Sequence, residues 1–381
     1  MTKSLLPPGC YDLLPPQAGQ KTELAYKMLS LFESFGYEQI APSLMEYSES
    51  LLEGRGRMLS QQIFRVMDPI SHKFMGIRSD ITPQVARIAM TRLKQLPRPL
   101  RLCYSDSILK MRGERTKNNR QLHQVGIELI GAAKAGADAE VILIMVKALQ
   151  AVGISNISLD LNLPGIVSSL LRTEKFDEEK LQELLAAVAR KDISSVSNIQ
   201  FTYQETLIGL LRNIGAAETM LPNIERLDLP DSARRECADL RQVIDILKKH
   251  GGDDLKITID ATESYSEDYH LGIGFSIFVD GVTYEVGRGG RYRIQGATAE
   301  SDIEATGFTL YMETLLDILP KPPAKKRILI SEGIDTEGTE KLRNDGFVLI
   351  HAVEGYGNCK NEAKRLGCGY IYTSGEIVEL S

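Results

Sequence analysis

The stretch 101–131 ends in QLHQVGIELIG, which places an amide and a carboxylate where they could hold a small ligand carrying positive charge. Val125, Ile127 and Leu129 alternate there with Gln124, Gly126, Glu128 and Ile130, the period-two pattern of a strand with one apolar face. Gln124 and Glu128 then stand on the same side, roughly 13 Å apart by strand rise, with Gly126 leaving open floor between them. The plainer reading is the solvated face of an edge strand. A second group sits in GIRSDITPQVARIAMTRLKQL. Thr82 is expected to cap a helix with Pro83 at its first position and Val85, Ile88, Ala89, Leu93 and Leu96 as its buried stripe. Arg78 and Asp80 precede that cap, where a strand end could present them to a pocket, or where they could form a surface ion pair.

Composition narrows the chemistry. The chain has 381 residues, enough for two or three domains with a substantial core. A net charge of −6 gives no general attraction to nucleic acid. Basic residues are concentrated locally: from Arg92 to Arg120 nine Lys and Arg face only Asp106 and Glu114. The five cysteines (Cys10, Cys103, Cys237, Cys359, Cys368) are scattered without a CxxC, and the five histidines are isolated. That pattern fits a reducing compartment and neither a disulfide frame nor a zinc site. Without a leader-like N-terminus or an apolar run long enough to span a bilayer, a cytoplasmic protein is expected.

The elements that must position these groups read as mixed α and β. A proline-punctuated arm opens the chain. Leu24, Met28, Leu31, Phe32 and Phe35 then recur at helical spacing and stop at Gly36, a C-cap glycine. Pro42 marks the next short apolar segment as an edge or bent strand. A helix from Asp138 to Val152 precedes a strand with Ile157, Leu159, Leu161 and Leu163, which leads into Asn162, Pro164 and Gly165. Helical patterns dominate 172–252 and read as an insertion. LGIGFSIFV and VTYEV, joined by Asp280-Gly281, carry a type I′ hairpin signal. The run Gly287-Arg288-Gly289-Gly290-Arg291-Tyr292 follows; such a cluster is usually a turn, although glycines also allow close backbone approach. Residues 307–319 are expected to be a helix, KPPAKK a linker, and 327–381 a small βαβαβ unit. The expected organisation is an α+β core over 1–171 and 253–320, a helical insertion over 172–252 and a small C-terminal domain over 327–381.

SDIT, HQVGIELIG, LNLPG, a tyrosine-rich hairpin and GGRY, in this order around a helical insertion, resemble the catalytic core of histidyl-tRNA synthetase over roughly residues 5–320. TPQVARIA is more similar to a paralogous family, the regulatory subunits of ATP phosphoribosyltransferase. The resemblance implies a class II aminoacyl-tRNA synthetase-like core, an antiparallel sheet flanked by helices, and a small α/β remnant in place of the anticodon-binding domain. It implies an amino-acid pocket from Asp80, Thr82, Gln124, Glu128, Tyr269 and His270, with His270 standing where the synthetase has the second of two paired tyrosines. It also puts Lys110 at the motif 2 arginine, Arg112 at the glutamate that follows it, Thr314 at the motif 3 arginine and Tyr265 at the histidyl enzyme's further arginine. Lysine lacks the bidentate fork, and Arg112 places a cation where an acceptor is wanted. Each donor lost from transition-state charge costs about 2.7–4 kcal/mol, so adenylation is not expected.

What the resemblance implies is therefore a homodimer that binds L-histidine. It would be required by a separate short-form ATP phosphoribosyltransferase catalytic subunit, and would mediate its feedback inhibition, in a hetero-oligomer at the first step of histidine biosynthesis. That partner uses Mg²⁺; no cofactor or metal is expected in this chain, and neither tRNA nor a membrane is an expected partner. The basic loop 110–120, with Lys110, Arg112, Arg115 and Lys117, is a candidate contact for the partner or its anionic ligands, or a solvated loop. An active, truncated histidyl-tRNA synthetase is the alternative, and an amino-acid-binding regulator of some other enzyme a third reading.

Overall fold

The computed structural model describes residues 6–51, 62–113, 119–172, 174–252, 255–263, 272–296, 302–330, 336–352 and 358–380. The chain divides into two compact units, Met1–Pro320 and Lys321–Ser381. The strands of the first unit are β1 (Glu38–Gln39), β2 (Met45–Tyr47), β3 (Phe64–Met67), β4 (Phe74–Ile77), β5 (Leu100–Leu109), β6 (Gln121–Ile130), β7 (Ile157–Asn162), β8 (Gly215–Ala216), β9 (Lys256–Ile259), β10 (Gly274–Val279), β11 (Gly287–Ile294) and β12 (Ile303–Tyr311). One nine-stranded sheet runs β1-β5-β6-β12-β11-β10-β7-β9-β8, antiparallel from β5 through β7, and β2-β4-β3 form a smaller sheet. The helices are α1 (Gln17–Ser34), α2 (Ser48–Leu51), α3 (Thr82–Thr91), α4 (Ala135–Ala151), α5 (Pro164–Leu171), α6 (Glu178–Ala189), α7 (Ile193–Ser197), α8 (Gln204–Arg212), α9 (Ala217–Ile224), α10 (Asp231–His250) and α11 (Met312–Ile318). This is the α+β, class II synthetase-like architecture.

Alternation along β6 separates two cores. Val125, Ile127 and Leu129 pack on the side of Leu24, Met28 and Phe32 of α1 and the apolar body of α4. The opposite face joins Leu102, Tyr104 and Ile108 of β5 to Ile81, Val85 and Ala89 around α3. The glycine expected to end α1 does so, with Gly36 at φ +81°. The α3 stripe is shorter than its sequence suggests. The helix ends at Thr91, so Leu93 and Leu96 lie beyond it, and Thr82 and Gln84 are buried in its first turn.

Four expectations change. VTYEV is not a strand, because β10 pairs instead with Gly287–Ile294, Ile277 opposite Gly287. The glycine run is thus a strand and not a turn. A Cβ at Gly289 would come 2.2 Å from the Gly307 carbonyl and 2.4 Å from the Phe275 ring, so close approach to neighbouring strands is what the glycine permits. Residues 307–311 complete β12, and the helix begins only at Met312; Phe308 and Leu310 face the α1–α4 core while Thr309 faces away. Pro42 lies between β1 and β2 and not within a strand, and its carbonyl accepts from Arg78.

The second unit is β13 (Arg327–Ile330), α12 (Thr336–Asn344), β14 (Val348–His351), α13 (Cys359–Arg365), β15 (Tyr370–Thr373) and β16 (Glu376–Glu379), with strand order β14-β13-β15-β16. The final strand extends the expected βαβαβ pattern. Ser374 and Gly375, both at positive φ, turn the chain back on itself there. Among the described residues no helix is long and apolar enough to cross a membrane.

A buried ion pair fastens α4 to the large sheet. Arg291 donates to Asp138 (2.8 Å), Glu304 (3.0 Å) and the carbonyls of Ala132 (2.8 Å) and Lys134 (3.0 Å). Burial pushes the Asp138 carboxyl up and Arg291 opposes that push. Arg291→Met leaves this carboxylate without its cation, and a loss of about 3–5 kcal/mol is expected in urea unfolding of the first unit.

Candidate functional site: a carboxylate pocket on the large sheet

The segment leading into α3 is pinned on one side by Arg78. Its guanidinium, 1% exposed, donates to the carbonyls of Ser107 (2.7 Å) and Pro42 (2.8 Å) and pairs with Asp106 at 2.6 Å. Arg78 is a structural clamp and not a partner of Asp80. Two residues further on, Asp80 is turned to β6. Gln124 donates its Nε2 to Asp80 Oδ1 at 2.9 Å, and the Ile81 N–H reaches both Asp80 Oδ1 (2.9 Å) and Gln124 Oε1 (3.0 Å). Thr82 follows, and its hydroxyl does not cap the helix, whose cap position is Ile81. It donates instead to Glu128 Oε1 at 2.8 Å. Tyr292 donates to the other oxygen, Oε2, at the same distance. Glu128 is 2% exposed, so these charge-assisted donors offset the loss of its hydration.

The structure thus brings Asp80, Thr82, Gln124 and Glu128 together. It alters one feature of the expected pocket: the floor at Gly126 is not open. The Tyr104 ring lies over it, and a Cβ there would stand 2.7 Å from Tyr104 Oη and 2.1 Å from the Phe308 carbonyl. Tyr104 Oη and Thr309 Oγ1 share a hydrogen bond of 2.7 Å. Burial, and after it the Glu128 and Asp80 carboxylates, push the Tyr104 hydroxyl well up, so it stays protonated. Tyr104, Thr309 and Tyr292 were not among the expected site residues. Tyr292 was within reach, as the last residue of the GGRY run; Tyr104 and Thr309 are recognised only once β5 and β12 are seen to flank β6.

The Lys110 ammonium lies 5.2 Å from the ring centroid of Tyr311, which sits opposite Gln124, so this cation borders the pocket. Arg112 is exposed. Arg115, Lys117, Tyr265, Tyr269 and His270 lie outside the described residues. Thr314 is buried in α11 beside Glu313, whose carboxylate accepts the His123 N–H (2.9 Å) and pairs with Lys21 (3.7 Å). His123 itself sits between Ser105 (2.8 Å) and Ser107 (3.3 Å), and burial pushes it down to about 4. A pocket of about 170 Å³ opens beside Thr82 and Tyr292, with Glu46, Gln84, Arg87 and Met90 in its wall, and it does not include Asp80, Gln124 or Glu128. Among the described residues no group of three or more His, Cys, Asp or Glu is placed to hold a metal ion.

A sheet of this order, carrying paired carboxylates and an amide beside α3, defines the protein class. Residues 9–315 match the family model described as histidyl-tRNA synthetase. A solved structure from Bacillus halodurans C, titled an ATP phosphoribosyltransferase regulatory subunit/histidyl-tRNA synthetase, superposes with a TM-score of 0.81 at 23% identity. It covers 96% of this chain and 97% of its own, and shows the shared fold. The regulatory branch is then resolved by curated relatives. ATP phosphoribosyltransferase regulatory subunits from Rhodospirillum centenum and Paramagnetospirillum magneticum are 39% and 38% identical, each over 99% of this chain and 96% and 98% of their own lengths. The chain belongs to the family of ATP phosphoribosyltransferase regulatory subunits.

Two measurements test this geometry. Tyr292→Phe removes one donor from a buried carboxylate and is expected to cost about 1–3 kcal/mol in chemical denaturation. For His123, burial holds the folded value at about 4, below the ordinary 6.5, so the unfolded chain binds the extra proton between them. Stability is therefore lost as pH falls from 6.5 through about 4. His123→Gln should flatten that part of a melting-temperature against pH profile.

Proposed function

We propose that this chain is a non-catalytic regulatory subunit that binds L-histidine and governs a separate, short-form ATP phosphoribosyltransferase catalytic subunit. That partner joins ATP to phosphoribosyl pyrophosphate with Mg²⁺, and histidine bound to this chain would inhibit it at the first step of histidine biosynthesis. The observation that carries the reading is a contrast in charge. The carboxylate end of the pocket is intact: Asp80 is oriented by Gln124, and Glu128 is held by Thr82 and Tyr292. The positions that resemblance assigns to phosphate-gripping arginines carry Lys110 against Tyr311 and a buried Thr314. Two carboxylates suit an ammonium and an imidazole N–H and disfavour a triphosphate. The names of the relatives support the regulatory assignment.

Two copies of this chain are expected to associate through the small sheet. Tyr47, Val66, Met67, Ile70 and Phe74 are each 44–89% exposed on β2, β3, β4 and the turn between β3 and β4, an apolar surface suited to burial against a second copy. The basic segment at Lys110 and Arg112 is the proposed contact for the catalytic subunit or its anionic ligands. A truncated histidyl-tRNA synthetase is the second reading, favoured by the family model. Histidine-dependent exchange of pyrophosphate into ATP would reveal it.

The deciding assay is the ATP phosphoribosyltransferase rate of a purified short-form catalytic subunit with and without this chain, titrated with histidine. Activity should depend on the chain and fall with histidine. Glu128→Gln should raise the half-inhibitory histidine concentration about tenfold or more, in line with the loss of a charged partner. A chain that leaves the rate unchanged at every histidine concentration refutes the reading.

A further inference from the structure

The pocket of about 170 Å³ beside Thr82 and Tyr292 is built by a helix face and a strand end. Pro83, Ala86, Arg87 and Met90 recur along α3 at helical spacing, so they share one side of the helix, and all four line the space. That side adjoins the stripe of Val85 and Ala89, which is sealed into the core. The end of β11 forms the facing wall. Tyr292 and Ile294 turn inward there, while the exposed Arg293 between them alternates to the other face of the sheet. The space is therefore mainly apolar. Its size is close to that of a cavity of roughly 150 Å³ known to hold one benzene ring.

Charge in this wall is already balanced. Glu46 of β2 enters it, pairs with Arg87 Nη2 and accepts from Gln84 Nε2 at 2.7 Å. The pair is neutral as a unit, so it favours neither an anion nor a cation. Two polar atoms of the same wall residues are left over. Among the described residues Gln84 Oε1, an acceptor, and Arg87 Nε, a donor, have no hydrogen-bond partner. Gln84 is 1% exposed, and its Nε2 is committed to Glu46 and to the Ser43 carbonyl (2.7 Å). Its amide cannot turn to satisfy the oxygen without giving up both bonds. Buried polar atoms left in that state disfavour the fold and call for a partner. One donor and one acceptor, a helical turn apart, match the two faces of a carboxamide.

We propose that this pocket is a second small-molecule site, selective for a neutral, single-ring aromatic carboxamide. The ring fills the apolar space, the ligand carbonyl accepts from Arg87 Nε, and the ligand amide donates to Gln84 Oε1. The site is separate from the carboxylate pocket, because Asp80, Gln124 and Glu128 do not line it. The two also differ in what they select: carboxylates draw positive charge, whereas the Arg87–Glu46 wall suits a neutral group. Thr82 and Tyr292 stand between them, giving their hydroxyls to Glu128 while lining this pocket as well. The assignment does not depend on the histidine reading.

The test is a ligand-observed NMR titration of the full chain with benzamide, with acetophenone, which keeps the carbonyl and lacks the amide donor, and with benzoate. Wild type should bind benzamide saturably and about fivefold or more tightly than either analogue, as one added hydrogen bond predicts. Ala86→Leu fills the space from α3 and should weaken benzamide about tenfold or more. Arg87→Lys keeps a cation for Glu46 but lacks the Nε–H, and should bring benzamide and acetophenone to within about twofold of each other. It also carries the test if the leucine variant does not fold. Absence of saturable benzamide binding to wild type overturns the site. Benzamide binding and preference that persist in both folded variants overturn its placement here, and benzoate binding as tightly as benzamide overturns the neutral assignment.

Discussion

The central sheet is organised around a carboxylate that has been taken out of water. Glu128 is almost fully buried, and an ionised group there is tolerated only if its oxygens receive good donors. Those donors come from distant parts of the chain, Thr82 at the start of α3 and Tyr292 on β11, 46 and 164 residues away. Gly307 must also lack a side chain, because its Cβ would occupy the place of Glu128 Oε2. A single charged group thereby fixes α3, β6, β12 and β11 against one another. Arg78 supplies the opposite tie, drawing the same incoming segment to Pro42, Ser107 and Asp106. Between these two clamps Asp80 and Thr82 have little freedom in where they point.

The two carboxylates of the pocket sit in different states. Glu128 is enclosed, with each oxygen engaged by a hydroxyl, and Asp80 is half-buried and oriented by Gln124 and the Ile81 amide. Glu128 is part of the frame as well as of the pocket wall, and Asp80 is the more accessible of the two. Among the described residues, Arg78 is consumed by its own clamp and Lys110 lies against Tyr311. Around α11 the charge is acidic: Glu313 holds the β6 backbone at His123 and takes Lys21. The resemblance places a phosphate-binding arginine one residue later, at Thr314. A tie between helix and strand now occupies that region.

Much of this was legible in residue order. The alternation Gln124, Gly126, Glu128 set the polar pair on one face because Val125, Ile127 and Leu129 between and beyond them are all apolar and enter the core. Gly36, the α1 stripe and the helices after residue 172 followed from periodicity and end signals of ordinary strength. What could not be read was lateral. Tyr104 lies over Gly126 only because β5 pairs with β6 in one particular register, and no local pattern carries that information. The run from Gly287 to Tyr292 looks like a turn by composition. It is a strand because its neighbours need close backbones more than they need side chains, an influence from tertiary structure that overrides propensity. Thr82 has the composition of a helix cap, and the demand of a buried carboxylate outcompetes that local use of its hydroxyl.

The same competition bears on how such a sheet can lose one chemistry and keep another. Thr82, Gln124, Glu128 and Tyr292 have partners that hold the fold together, so stability alone keeps these side chains in place. Gripping a triphosphate draws on exposed arginines at loop and helix ends, which contribute little to the folded state and can be exchanged at small cost. Replacing those arginines leaves the frame untouched, whereas removing Glu128 leaves two buried hydroxyls to be satisfied again. In a sheet built this way the polar groups tied into the frame resist replacement, and the exposed ones do not.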